Sequence, residues 1–115
     1  MSEICCCCDN AVAHARDILP SQNTIDIVSN VFKLFGDPTR AGILCALSRH
    51  YLCVSELASV LNMSSSAISH QLRLLKQTGM IQASREGKNV IYSIADTRIE
   101  NIFNLALQYS EESEK

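Results

Sequence analysis

Between residues 54 and 79 two helical periods follow one another with only Asn62 and Met63 between them, and a pair of alternating segments comes directly after. Few folds accept so abrupt a sequence of elements. Residues 54–61 are a short helix with Leu57, Val60 and Leu61 on one face, stopped by Asn62. Ser64 is placed to cap the next helix, in which Ile68, Leu72 and Leu75 form an inward stripe at i, i+4 and i+7. Ser69, Arg73 and Lys76 repeat the same spacing outside. Gly79 ends it. Residues 81–85 and 89–94 then alternate around Glu86-Gly87-Lys88, the pattern of a hairpin with a glycine turn.

The flanks are helical too. Thr24 is expected to cap a helix carrying Ile25, Val28, Phe32 and Phe35, which Gly36 closes. Asp37-Pro38 restarts the chain, aspartate suiting the N-cap and proline the first helical position. That helix runs to about residue 49 with Ile43, Leu44 and Leu47 toward the core. Asp96 caps a last helix whose apolar face of Ile99, Ile102, Phe103, Ala106, Leu107 and Tyr109 is wider than one small core requires. A second subunit is expected to cover it. A chain of 115 residues holds one core and buries only about two-thirds of its unfolded surface, so dimerisation would add burial. The fold expected is mainly α with a β-hairpin wing, a dimeric winged helix-turn-helix. Residues 1–23 lack a clean period and read as a flexible cysteine-bearing arm with a short helix near residues 11–19. Residues 24–112 form the DNA-binding and dimerisation domain, and residues 113–115 an acidic tail.

In such a fold the second helix of the pair enters the major groove of double-stranded DNA. Ser64, Ser65, Ser66 and Ser69 are small hydroxyl donors that let its N-terminus approach phosphates and bases. His70 and Arg73 reach base edges from the following turn, while Arg85 and Lys88 of the hairpin neutralise phosphates. The net charge of −2 excludes a bulk attraction to nucleic acid, yet from residue 64 to 90 four cations face Glu86 alone. The basic patch is local.

Four consecutive cysteines, Cys5, Cys6, Cys7 and Cys8, are the other constraint. No secretory signal and no membrane-spanning apolar run is legible, so a reducing cytoplasm is expected, and there six cysteines argue for metal binding or redox sensing over a disulfide framework. Exposed thiolates favour soft ions. Cys53, just ahead of the helix pair, is the natural partner of the arm cluster. Cys45 lies on an apolar face and reads as a small buried hydrophobe; Asp9 and His14 read as ordinary arm residues. An enzyme is not expected, because His14, His50 and His70 are scattered and no nucleophile, base and oxyanion set shares a spacing.

The runs Phe35-Gly36-Asp37-Pro38-Thr39-Arg40, Leu52-Cys53-Val54-Ser55-Glu56-Leu57-Ala58, Ser64-Ser65-Ser66-Ala67-Ile68-Ser69-His70-Gln71-Leu72-Arg73 and Glu86-Gly87-Lys88-Asn89-Val90-Ile91-Tyr92 together resemble the ArsR/SmtB family of metalloregulatory repressors. The resemblance spans about residues 25–110. It implies a homodimer that represses an efflux or sequestration operon and leaves its operator when the inducer binds. One inducer site of the family lies on the last helix, as Asp-x-His and His-x-x-Glu across the dimer. Asp96 and Glu112 match it here, but Arg98 and Tyr109 stand where the histidines would be, so Asp96 reads as an N-cap and Glu112 as a surface carboxylate. A second site uses Cys-Val-Cys before the helix-turn-helix together with arm cysteines. Here Cys53 is kept and Ser55 replaces the second cysteine. Two or three of Cys5, Cys6, Cys7 and Cys8 with Cys53 would complete an S₃ or S₄ set for Cd²⁺, Zn²⁺, Pb²⁺ or Cu⁺, with no organic cofactor. A thiol redox or persulfide switch on the same cysteines, and a metal buffer that happens to have this fold, are the competing readings.

Overall fold

The structure, a computed structural model, describes residues 9–113. The chain divides into two units, residues 1–33 and 34–115. The first contains α1 (Asp9–Ile18) and most of α2 (Gln22–Phe35). Helix α2 begins before the expected cap at Thr24, because the hydroxyl that follows Pro20 reaches the orphan amides first. Ser21 Oγ accepts from the Thr24 amide at 3.2 Å and donates to Thr24 Oγ1 at 3.1 Å. Val12, Ile18, Leu19, Ile27 and Val28 are exposed, and α2 has no buried residue.

The second unit holds α3 (Pro38–Leu47), α4 (Val54–Leu61), α5 (Ser65–Gln77), β1 (Ile81–Glu86), β2 (Asn89–Ile94) and α6 (Thr97–Ser113). This is the mainly α winged helix-turn-helix expected from the order of patterns. Its helix ends are set by local chemistry. Asp37 Oδ2 accepts from the Arg40 amide at 3.0 Å with Pro38 in the first turn, and Ser64 Oγ accepts from the Ala67 amide at 3.1 Å. Asn62 closes α4 in the left-handed region, at φ 57°, where its short polar side chain is tolerated, and Gly79 follows α5 at φ 82°.

Ile43, Leu44 and Leu47 of α3, Leu57 of α4, Ile68, Leu72 and Leu75 of α5, Met80 and Ile81 at the start of the hairpin, and Phe103 of α6 are buried together. Each such side chain is worth about 1.5–3 kcal/mol of transfer free energy. Gly42 lets α3 and α4 approach, for a Cβ there would sit 3.2 Å from Leu61 Cδ2. Val60, read as sharing one face with Leu57 and Leu61, is 62% exposed, since Leu57 takes the inward position of this eight-residue helix and Leu61 turns to α3. The strands pair antiparallel from Ile81 opposite Ile94 to Glu86 opposite Asn89. The loop is therefore Gly87-Lys88 alone, one residue shorter than expected. Gly87 at φ 64° supplies the positive dihedral of a type II′ turn, whose twist suits the strands.

Candidate nucleic-acid interface and thiol segment

Burial of Ile68, Leu72 and Leu75 fixes the rotation of α5 and leaves Ser65, Ser66, His70 and Arg73 exposed, while Ser69 is half-buried. Ser64 is exposed too, but its oxygen is engaged as the cap. Arg85 and Lys88 are exposed on the hairpin, at its strand end and its loop. Serine hydroxyls, first-turn amides and three cations on one helix and its hairpin can hydrogen-bond and neutralise a phosphate backbone.

Two supports of this surface were not singled out from the sequence. Arg40, in the first turn of α3, donates through Nε to the Leu34 carbonyl at 3.1 Å and through Nη1 to Gln71 Oε1 on α5 at a long 3.4 Å. Glu56 reaches back along α4, and its Oε1 accepts from the Cys53 amide at 2.9 Å. That contact, with the Cys53 side chain beside it, lowers the Glu56 carboxyl from its ordinary range. The Cys-x-x-Glu spacing is the glutamate half of a capping box, so this signal was present in the sequence.

Cys53 is the N-cap of α4, half-buried in extended backbone at φ −92° and ψ 175°. Its Sγ lies 3.2 Å from Ser55 Oγ. Cys5, Cys6, Cys7 and Cys8 lie outside the described residues. Among the described residues no three His, Cys, Asp or Glu side chains converge as a metal site. Cys45 is half-buried, and burial pushes its thiol up, opposed by Arg49. Such a thiol stays protonated at neutral pH, as expected of a packing residue.

On α6 both oxygens of Asp96 are taken by Arg98. Oδ1 accepts from the Arg98 amide at 2.8 Å and from Nε at 3.1 Å, and Oδ2 accepts from Nη2 at 2.6 Å. These bonds, side chain first and then backbone, lower the Asp96 carboxyl from 3.8 to about 2. The aspartate is thus an N-cap already neutralised by a guanidinium, which does not fit a zinc ligand. Among the described residues no helix is long and apolar enough to cross a membrane.

A short helix, a tight turn, an exposed polar second helix and a basic hairpin define a winged helix DNA-binding protein of the transcription-regulator class. The comparisons with known proteins agree. Residues 37–83 match the family described as "Bacterial regulatory protein, arsR family". The chain is 34% identical over 113 residues to a transcriptional repressor SmtB homolog of Synechocystis sp., covering 93% of this chain and 86% of that one. It is 35% identical over 113 residues to a cadmium resistance transcriptional regulatory protein CadC homolog of Staphylococcus aureus, covering 97% and 93%. The crystal structure of the AntR antimony-specific transcriptional repressor superposes with a TM-score of 0.76 at 34% identity, over 84% of this chain and 87% of that one. The chain belongs to the arsR family of bacterial regulatory proteins.

Proposed function

We propose that this protein is a cytoplasmic homodimeric repressor that holds operator DNA until a soft or borderline metal ion binds thiolates of the arm and of Cys53. The observation that carries the reading is the mounting of Cys53. Its thiol sits on the N-cap of the first helix of the DNA-binding pair, outside the apolar core. A ligand there acts on the frame that presents α5. The names of the cadmium-resistance CadC homolog and of the antimony-specific repressor support a metal or metalloid inducer.

In this reading residues 1–23 are the arm, and two or three of Cys5, Cys6, Cys7 and Cys8 join Cys53 as ligands. Thiolates suit Cd²⁺, Zn²⁺, Pb²⁺ or Cu⁺. Ser64, Ser65, Ser66, Ser69, His70 and Arg73 face the major groove, and Arg85 and Lys88 the flanking phosphates. The second copy covers apolar surface that one chain leaves open, including Leu105 and Tyr109 of α6, 65% and 73% exposed.

Operator mobility in a gel, with and without Cd²⁺ or Zn²⁺ under reducing conditions, tests it. The apoprotein is expected to retard the operator and the metal to release it. Replacing all four arm cysteines by serine should leave retardation intact and abolish release. Unchanged operator affinity with metal, alongside release by peroxide or persulfide, would instead identify a redox switch.

A further inference from the structure

Leu52 and Tyr92 exchange both of their main-chain hydrogen bonds, although Leu52 lies in no regular strand. The Leu52 amide donates to the Tyr92 carbonyl at 3.2 Å, and the Tyr92 amide donates to the Leu52 carbonyl at 2.8 Å. Both polar groups of Tyr92 thus point away from β1, and the Ala83–Tyr92 pair is a non-hydrogen-bonded position of the hairpin. Strand β2 is held at this residue from the far side, by the segment that carries Cys53.

We propose that this reciprocal pair couples the thiol segment to the wing, so that ligation at Cys53 displaces β2 and with it Arg85 and Lys88. The inference rests on the metal-sensor reading above and names how that site regulates DNA binding. Its argument is the lack of slack. Leu52 and Cys53 share one peptide, so their Cα atoms are about 3.8 Å apart. The Cys53 amide is held by Glu56 and its carbonyl accepts from the Leu57 amide at 3.0 Å. A shift of the Cys53 backbone therefore passes to α4 on one side and to the Leu52–Tyr92 pair on the other.

The two sides differ in stiffness. Helix α4 is anchored by Leu57, wholly buried against the core, and interiors are packed too densely to deform by small degrees. The hairpin has two strands, and at Tyr92 two hydrogen bonds tie it to the Cys53 segment. The hairpin's base is packed as well, with Ile81 buried and Ile91, Tyr92 and Ile94 half-buried, but its tip from Arg85 to Asn89 is exposed, so a displacement at Tyr92 is free to appear there, at cations of the proposed DNA surface. Glu56 is the positioning residue of this device, because it fixes the backbone through which the pull is exerted.

The test uses the full-length reduced protein and Cd²⁺ as probe. Near-ultraviolet thiolate-to-cadmium absorption reports binding, fluorescence anisotropy reports operator affinity, and amide hydrogen exchange by NMR reports protection of Leu52 and Tyr92. In the unmodified protein Cd²⁺ should weaken operator binding by roughly 5- to 150-fold, the usual range of allosteric coupling, and change the exchange of both amides. Tyr92→Pro removes one bond of the pair and none of the hairpin ladder. It should keep cadmium absorption and apo operator binding, while release falls below about fivefold. If Tyr92→Pro does not fold, the exchange result in the unmodified protein decides alone. Release with unchanged exchange at Leu52 and Tyr92, or full release in a folded Tyr92→Pro, overturns the coupling and leaves the sensor reading standing. Absence of cadmium absorption, or of any release in the unmodified protein, overturns the sensor reading and the coupling with it.

Discussion

Phe35 and Phe103 meet edge to face, with ring centroids 4.8 Å apart and planes at 65°. The end of α2 is thereby tied to α6 through the one residue of α6 that is buried. Phe103→Ala removes that ring from the core and should destabilise the fold by about 3–5 kcal/mol, as large-to-small core substitutions do. Urea unfolding followed by circular dichroism checks it. A loss below about 1 kcal/mol would mean that α6 is held chiefly by other contacts.

Acid should unfold the protein partly through Asp96. Its carboxyl is lowered in the fold by Arg98, so the stability it contributes is present above the unfolded value near 3.8 and is lost as pH falls toward about 2. Glu56, lowered by the Cys53 amide, acts in the same direction. The urea midpoint is expected to drop between about pH 4 and pH 2. In Arg98→Ala the drop should be smaller, which parallel titrations would reveal.

The basic hairpin should set the salt dependence of operator binding. Arg85→Ala and Lys88→Ala are each expected to lower the slope of log affinity against log salt by about 1, with little change in sequence preference. Arg73→Ala should instead cost about 1–3 kcal/mol and relax preference at one operator position. Anisotropy titrations at several salt concentrations, on the operator and on single-base variants, separate the two effects.

Cys45 should be slow to alkylate. Burial raises its thiol above the ordinary value, so little thiolate exists at neutral pH and the sulfur is partly screened. Iodoacetamide followed by mass spectrometry should label Cys45 much more slowly in the native protein than in urea. Equal rates in both states would place it outside the packed region. Cys45→Ala should leave metal-dependent operator release unchanged.

Most element ends were legible because their causes are local. Asp37 and Ser64 bond amides three residues on, Asn62 and Gly79 take left-handed dihedrals just past helix ends, and Gly87 turns the hairpin. The resemblance to the arsR family was legible for the same reason, as it rests on these short runs. The errors came where neighbours compete. Ser21 displaced Thr24 as a cap by being nearer to Pro20, and of the face read as Leu57, Val60 and Leu61 only Leu57 is fully buried while Val60 is exposed.

The sequence by itself determined that a short helix, a second polar-faced helix and a basic hairpin follow in order, with thiols at residues 5–8 and at residue 53. Side-chain period, caps and turn residues act within a few positions and need no knowledge of the whole. Only the tertiary structure decided that Leu52 bonds to Tyr92, that Arg40 reaches Gln71 across 31 residues, and that Asp96 is closed off by Arg98. The first two join distant parts of the chain. Their geometry depends on how the core sets α3, α4, α5 and the hairpin against one another, which no local pattern encodes. The third is local, made by an arginine 85% exposed, and what the structure adds is its rotamer, folded back onto the cap and not extended into solvent.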